Sequence, residues 1–363
     1  MGLSAFKPLS RLPFAIASPQ TGRVASNMIE YTIAGKSGSI KATRRVVPIP
    51  TPGENEVLIR LVATDSNPKD WKASRNHPEG QGINQGDDIS GIVEAVRSSV
   101  HEYVPGDRVA AFHRMFQPHG SYAQYAIAPA STTFRLPPNI SFEAGATLPL
   151  ASMTAALALY QNLGLPLPWN PAKTETPVLI YGGASAVGAY ALKFAKLSGL
   201  SPIITVAGNG AEFVQSLNAA DHIIDYRNGN VVEGILKALG GRKLHHAFDA
   251  VSYNRSYEDI VAVLQASGGG QIDMVDPPSD DSANPQRAAW YRNEKKAAED
   301  GEFAYVFYRY ISRLLAEGKL EPHPYEVRLN GLEGVAEGIQ LLFDRKVSAK
   351  KLVYQITDTP DLL

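Results

Sequence analysis

Between residues 28 and 135, apolar residues occur in short runs that prolines and glycines interrupt every few positions. The segment EVLIRLVATDS, residues 56–66, has the alternation of apolar and polar positions that is typical of a strand. In the segment before it, Pro48, Pro50 and Pro52 exclude a helix because proline lacks a backbone donor. The later segments GDDISGIVEAV and GDRVAAF are again strand-like and contain glycines. The pattern predicts an all-β region.

The periodicity becomes helical after residue 140. Ser141 is placed to cap the helix, and Glu143 lies in its first turn, where a carboxylate suits the helix dipole. From residue 177 onward, strands and helices alternate, beginning with PVLIYGG, a short apolar run of the kind that is buried on both faces. This alternation predicts a parallel sheet. Residues 276–301 are polar and predict a surface excursion, after which helix, strand, helix and strand complete the chain.

Composition bounds the class of protein. A chain of 363 residues with 44% hydrophobic and 20% charged residues is globular and long enough for two domains. The net charge of -1 and pI near 6.7 argue against nucleic acid or an anionic membrane as partner. No apolar run approaches the roughly 20 residues of a membrane span. The absence of cysteine excludes disulfides, thiolate chemistry and cysteine-ligated zinc.

The N-terminal segment has a distinct composition. Residues 1–29 contain Lys7, Arg11 and Arg23 but no acidic residue before Glu30. An acid-free, serine-containing start is typical of a mitochondrial transit peptide. A flexible surface extension, or a start of translation at Met28, explains the same composition. Without a targeting role for this segment, we expect the protein in the cytoplasm.

The strongest chemical signal is a glycine-rich turn between a buried strand and a helix. The strand VLIY is followed by Gly182, Gly183, Ala184, Ser185 and Ala186, and then by Gly188. Such a turn presents backbone amides and a helix N-terminus to the pyrophosphate of a dinucleotide. The spacing departs from G-x-G-x-x-G, and a tight turn without a ligand is the alternative. Its place in the first strand-helix-strand unit favours a nucleotide site.

The end of the second strand bears on the type of cofactor. Ala207, Gly208, Asn209 and Gly210 offer no carboxylate for the ribose hydroxyl of NAD, so nothing there repels a 2′-phosphate. The sequence therefore favours NADPH. Tyr226, at the end of the third strand, is a candidate for the adenosine side and Arg227 for the compensating charge. An ordinary aromatic residue at the edge of the sheet is the alternative for Tyr226.

These motifs, in this order, resemble the medium-chain dehydrogenase/reductase superfamily in its quinone-reductase-like branch. The resemblance covers residues 28–357. It is carried by NPKDWK, GDDISGIVEAV, PGDRVAAF, GSYAQYAIAP, YGGASAVG, IIDYR and KKLVYQI. Within that branch the short motifs NLGLPLP, YGG, LSG and DYR most resemble those of fungal trans-acting enoyl reductases of the lovastatin enoyl reductase type. Generic zinc-free quinone-reductase-like proteins of fungi share the same motifs.

The resemblance implies an α/β architecture with a GroES-like β-rich catalytic domain and a Rossmann domain with a doubly wound parallel sheet. The catalytic domain would comprise residues 28–150 and 322–363, the Rossmann domain residues 151–321, and residues 1–27 an N-terminal extension. The implied cofactor contacts are Pro68, Lys69, Asp70, Trp71, Thr154, Ala184, Ser185, Ala186, Val187, Ala207, Gly208, Asn209, Gly210, Tyr226, Val263, Leu264, Ser348 and Ala349.

The chain departs from the zinc-dependent members of that superfamily. Gly86-Asp87-Asp88 stands where those members have Gly-His-Glu, and the four-cysteine lobe is missing. We therefore expect no metal. Without a Lewis acid, alcohol dehydrogenation loses its usual catalyst, whereas a conjugated alkene or a quinone directs hydride to carbon by itself.

These features predict hydride transfer from NADPH to the β-carbon of an enone, enoyl thioester or quinone, followed by protonation. Lys72 is the candidate proton donor or phosphate-side cation, with a solvated surface lysine as the alternative and water as another proton source. His113 and His119 flank a loop where they could contact the substrate, but a surface position is expected for both. The adjacent residues His245 and His246 point to opposite faces of an extended segment, so they are not expected to chelate one metal ion.

Three functions remain open from the sequence. The first is an enoyl reductase that works in trans with a polyketide synthase on a carrier-bound acyl chain. The second is a stand-alone reductase of quinones or enones used in detoxification. The third is a nucleotide-binding protein without catalysis. A synthase-dependent enzyme predicts a monomer, and a stand-alone reductase of this branch predicts a homodimer.

Overall fold

The computed structural model describes residues 26–36, 39–76, 83–253, 255–276 and 294–362. The predicted extension over residues 1–27, with its alternative explanations, lies outside the described residues except for its last two positions. Most of the predicted surface excursion over residues 276–301 also lies outside them.

The first domain is a sheet to which both ends of the chain contribute. Its strands are β3 (Glu56–Ser66), β4 (Asp88–Val96), β5 (Arg108–Phe112), β6 (Tyr125–Pro129), β7 (Thr133–Arg135), β13 (Tyr325–Arg328) and β14 (Lys351–Gln355). The sheet order is β13-β14-β3-β4-β5-β7, and β6 pairs with β3. The antiparallel register of β14 and β3 places Leu352 opposite Ser66. This pairing brings Lys351 beside the C-terminal end of β3.

Smaller elements complete this domain. They are the hairpin of β1 (Asn27–Lys36) and β2 (Ser39–Pro48), and the helices α1 (Pro68–Asn76), α2 (Phe142–Ala146) and α9 (Val335–Phe343). The all-β expectation for residues 28–135 missed α1, which begins at a proline, a residue favoured in the first helical turn. Trp71 of α1 packs edge-on against Phe343 of α9, with ring centroids 5.1 Å apart.

The second domain has a parallel sheet with strand order β10-β9-β8-β11-β12. These strands are β8 (Val178–Tyr181), β9 (Ile203–Ala207), β10 (His222–Asp225), β11 (His246–Asp249) and β12 (Gln271–Met274). The helices between them are α4 (Ala186–Leu197), α5 (Ala211–Ser216), α6 (Val231–Leu239) and α7 (Ser256–Ala266). The direction of winding reverses at β8, and in such sheets ligands bind at that point, beyond the carboxyl ends of the strands. The predicted fold class is confirmed.

Two helical segments join the domains. α3 (Pro149–Ala156) continues into a wider π-helical turn, Leu157–Asn162, and α8 (Glu294–Ala316) packs on β7. By length and composition alone the run Phe142–Asn162 could span a membrane, but 67% of its most apolar stretch is buried inside the protein. Core helices of soluble proteins have the same composition, so its apolar side chains are explained by packing.

Candidate active site

The glycine-rich turn has the geometry of a phosphate-binding site. β8 ends at Tyr181, and Gly182 has φ +90°, a conformation that favours glycine. The side chain of Ser185 caps α4 by accepting a hydrogen bond from the amide of Gly188 at 3.0 Å. A Cβ on Gly188 would collide with the carbonyl oxygen of Gly182. The amides of Ala186 and Val187, which precede Gly188 in α4, have no acceptor within the helix, so they can donate to an anion.

The catalytic domain contributes the opposite wall of this site. A Cβ built on Gly210, which follows β9, would lie 3.4 Å from Cβ of Ala349 and 3.5 Å from Oγ of Ser348. The same position would collide with Ala184. The structure therefore brings together three of the predicted cofactor segments, the β8 turn, the β9 end and residues 348–349. The two domains thus approach each other at the predicted cofactor site.

The positive charge beside the end of β9 comes from Arg227, in the turn that follows β10. The guanidinium of Arg227 donates to Oδ1 of Asn209 at 3.1 Å and pairs with Asp225 at 2.5 Å. Hydrogen bonds from Arg227 lower the pKa of Asp225 to about 2. The ring of Tyr226 lies against Gly208 and is 44% exposed. A cation and an exposed aromatic ring thus flank the edge where the adenosine half of a dinucleotide would lie.

A buried cluster of charges lies at the C-terminal end of β3. The ammonium of Lys351 is 2.8 Å from Oδ2 of Asp65, 3.2 Å from Oδ2 of Asp88 and 3.0 Å from Oδ1 of Asn67. The amide of Asn67 donates to Asp88 at 2.6 Å, and the backbone amide of Leu150 donates to Asp88 at 2.7 Å. All four charged or amide side chains are nearly inaccessible to solvent. We call Asp65, Asn67, Asp88 and Lys351 the lysine cage.

Protonation in the lysine cage follows from burial and charge. Burial raises the pKa of Asp65, and the neighbouring Asp88 carboxylate raises it further. Burial also acts to raise the pKa of Asp88, but Lys351 and the hydrogen bond from Asp65 outweigh it and lower the pKa. For Lys351, burial opposes the charge, yet the two carboxyl groups raise its pKa. Asp65 is therefore the more readily protonated of the two carboxyl groups, and Lys351 lies within ion-pair distance of both.

A second lysine, Lys69, forms ion pairs with two acidic residues outside the lysine cage. The ammonium of Lys69 pairs with Asp87 and lies 3.0 Å from Oδ1 of Asp70. It also donates to the carbonyl oxygen of Gln85 at 2.5 Å. The side chains of Lys69 and Asp70, both predicted cofactor contacts, thus point into the protein. Within the segment 68–71, the side chain of Pro68 is exposed, whereas the ring of Trp71 packs on Phe343.

His113 completes this arrangement, and the expectation that it lies at the surface is wrong. It is 3% exposed, its Nδ1 lies 2.8 Å from Oδ1 of Asp87, and its Nε2 lies 2.9 Å from the carbonyl oxygen of Pro118. The carboxylates of Asp87 and Asp88 therefore pair with Lys69, Lys351 and His113. Across the described ranges, no group of three or more histidine and acidic side chains is arranged to hold a metal ion.

Lys72 lies at the boundary of the two domains. Its ammonium is 2.6 Å from Oδ2 of Asp276, the second residue after β12. The side chains are 34% and 45% exposed, respectively. Lys72 is thus a member of an interdomain ion pair, and its role as proton donor stays a prediction. Thr154 uses its hydroxyl to donate to the carbonyl oxygen of Leu150 at 2.8 Å.

The side chains of one predicted pair of cofactor contacts are buried. Val263 is 0% and Leu264 6% exposed, because both lie on the face of α7 that packs on the parallel sheet. Their side chains belong to that core, and their contact with the cofactor stays a prediction. The sequence did not single out Asp276, which follows β12, or Lys351, which begins β14, as candidate site residues. Lys351 follows the exposed Lys350 and opens an apolar strand, so its burial can be inferred only once the pairing of that strand with β3 is known.

Comparison with known proteins agrees with this architecture. Residues 53–138 match the alcohol dehydrogenase GroES-like domain, and residues 186–275 match the family described as zinc-binding dehydrogenase. The trans-enoyl reductase fsr4 of Gibberella fujikuroi is 40% identical over 289 residues, 77% of this chain and 85% of the relative. The trans-enoyl reductase ACTTS2 of Alternaria alternata is 32% identical over 85% of this chain and 94% of the relative.

Solved structures share the fold. The CurK enoyl reductase superposes with a TM-score of 0.69 at 20% identity, covering 90% of this chain and 99% of that one. The fold, the nucleotide site and the two relatives agree in one assignment. The chain belongs to the medium-chain dehydrogenase/reductase superfamily, as a member of the trans-enoyl reductase family.

Proposed function

We propose that this protein takes hydride from NADPH and transfers it to the β-carbon of an α,β-unsaturated acyl thioester. The acyl chain would be held by the carrier domain of a separate polyketide synthase. The observation that carries the proposal is the lysine cage, because its Asp88 belongs to the segment Gly86–Asp88 that stands in place of the metal motif, in a chain related to trans-enoyl reductases. A bound nicotinamide supplies the hydride.

The preference for the phosphorylated cofactor rests on the end of β9. Asn209 offers an amide where NAD-binding members of such folds offer a carboxylate. The guanidinium of Arg227 donates to Oδ1 of Asn209 at 3.1 Å, so it is within reach of a 2′-phosphate bound at this edge. Asp225 holds the guanidinium in place. These contacts support binding of NADPH over NADH.

The kind of acceptor follows from what the cage provides. The ammonium groups of Lys69 and Lys351 form ion pairs with the carboxylates of Asp87 and Asp88, so these carboxylates are not ligands for a Lewis acid. The acceptor must then supply its own activation. An alkene conjugated to a thioester carbonyl does so, because negative charge that develops during hydride transfer moves to the carbonyl oxygen. The protein chiefly orients the two reactants.

The test is a titration of the purified protein with NADPH and NADH, followed by turnover with unsaturated acyl thioesters, enals and simple quinones. The expected result is tighter binding of NADPH and turnover of a thioester. Tighter binding of NADH contradicts the cofactor assignment. Turnover of quinones alone supports a stand-alone reductase, and binding of NADPH without turnover of any acceptor contradicts the enzymatic proposal.

A further inference from the structure

Two contacts cross the cleft between the domains near the ends of β11 and β12. In the first, the ammonium of Lys72 lies 2.6 Å from Asp276. In the second, the guanidinium of Arg345 lies over the ring of Tyr253, 4.5 Å from its centroid. Lys72 and Arg345 belong to the catalytic domain, whereas Asp276 and Tyr253 belong to the Rossmann domain. We call these four residues the clasp.

On the catalytic side, both cations of the clasp are attached to one packed unit. Lys72 follows Trp71 on α1, and Arg345 comes two residues after Phe343, the last residue of α9. The rings of Trp71 and Phe343 meet edge to face, with an angle of 87° between their planes. A shift of α1 relative to the Rossmann domain therefore displaces Arg345 as well.

On the Rossmann side, both partners of the clasp are tied to the same buried carboxylate. The backbone amide of Asp276 donates to Oγ of Ser252 at 3.1 Å. The amide of Ser252 in turn donates to Oδ1 of Asp249 at 2.7 Å, and Asp249 is 0% exposed. Ser252 directly precedes Tyr253. The two loops that carry Asp276 and Tyr253 thus form one edge of the cleft.

The clasp joins the part of the protein that binds the hydride donor to the part that faces the acceptor. The nucleotide turn and the β9 end belong to the Rossmann domain, whereas residues 348–349 reach it from the catalytic domain three residues after Arg345. Hydride transfer requires the reacting atoms to be held at close contact distance. The separation of the two domains therefore controls the reaction rate.

We propose that the pairs Lys72 with Asp276 and Arg345 with Tyr253 are positioning pairs that fix this separation. The inference rests on the proposed function, because it places the nicotinamide in this cleft. It assigns Lys72 a role through Asp276 and gives its ammonium no part in proton transfer. Both side chains of the first pair are about a third to a half exposed, so water can replace either partner when the cleft opens for cofactor exchange.

The experiment is a charge reversal across the cleft. Lys72→Met and Asp276→Asn should each raise the NADPH dissociation rate and lower kcat by about fivefold, with little change in KM for the acceptor. The double variant Lys72→Glu with Asp276→Lys restores the contact without a lysine at position 72, so it should recover most of both losses. Arg345→Met and Tyr253→Leu should each raise NADPH dissociation about threefold, and the two together no further.

The matched control is Lys346→Met, which removes an ion pair with Asp344 in the loop that carries Arg345. This pair lies within the catalytic domain, so its loss should leave NADPH dissociation and kcat at wild-type values. Single clasp variants with wild-type rates overturn the inference. A charge reversal that stays as impaired as Lys72→Met also overturns it, because Lys72 then acts on the reacting atoms. Failure of the wild-type protein to reduce any thioester contradicts the proposed function instead, and the clasp is then judged by NADPH dissociation.

Discussion

Replacement of Lys351 by methionine tests the energetics of the lysine cage. Methionine keeps most of the volume of the lysine stem but removes the ammonium, so the change isolates charge from packing. The side chain of Lys351 is 4% exposed, and those of Asp65 and Asp88 are 0% exposed. The pKa of Asp88 is lowered whereas that of Asp65 is raised, so the charge that the substitution leaves without its cation lies chiefly on Asp88.

The expected loss is large for a single side chain. Removing one partner of a buried ion pair costs about 3–5 kcal/mol of unfolding free energy, because the remaining charge stays desolvated. The hydrogen bonds from Asn67 and Leu150 to Asp88 remain, which places the expected value at the lower end of that range. Addition of Asp88→Asn removes the stranded charge and should recover about half of the loss.

Urea unfolding at neutral pH measures these differences. The matched control is Lys350→Met, because Lys350 is the neighbouring lysine and its ion pair with Glu326 is exposed. That substitution should cost at most about 1 kcal/mol. A cost for Lys351→Met no greater than that of the control would refute the reasoning. So would a double variant with Asp88→Asn that is less stable than Lys351→Met alone.

Three further predictions address the nucleotide site and its surroundings. Asn209→Asp places a carboxylate beside the guanidinium of Arg227. If this edge binds the 2′-phosphate as proposed, the change should weaken NADPH binding about tenfold while NADH binding changes less, as fluorescence titration will show. Gly188→Ala forces a methyl group against the carbonyl of Gly182 and should cost about 1–3 kcal/mol in urea unfolding, with loss of NADPH binding. Burial lowers the pKa of Lys193 to about 8, from 10.5, so the unfolded chain binds the proton more tightly. Stability relative to Lys193→Met should therefore rise as pH increases from 8 to 10.5, and a flat difference between the two proteins would contradict this.

The nucleotide turn could be predicted from sequence because it is local. A buried strand, two glycines, a serine at the N-cap and a helix follow one another within about a dozen residues. Each step has its own signal in residue type, and the structure places Ser185 in the capping position. The alternation of strands and helices likewise predicted the parallel sheet, since the apolar pattern of each element indicates which of its faces is buried.

The lysine cage could not be predicted because it depends on contacts between distant parts of the chain. Lys351 meets Asp65 and Asp88 only through the pairing of β14 with β3, a register that no local pattern encodes. His113 is buried for the same reason, because its partner Asp87 belongs to a different strand connection. The burial of the Val263 and Leu264 side chains likewise depends on how α7 packs on the parallel sheet, which position in the chain alone did not predict.

The direct test of the central claim follows the hydride itself. A single turnover with NADPH deuterated at the transferable position, and an α,β-unsaturated acyl thioester in ordinary water, is analysed by mass spectrometry and NMR. The account predicts a saturated thioester with one deuterium at the β-carbon and a solvent proton at the α-carbon. Recovery of the intact alkene, or deuterium at the carbonyl carbon, would contradict it.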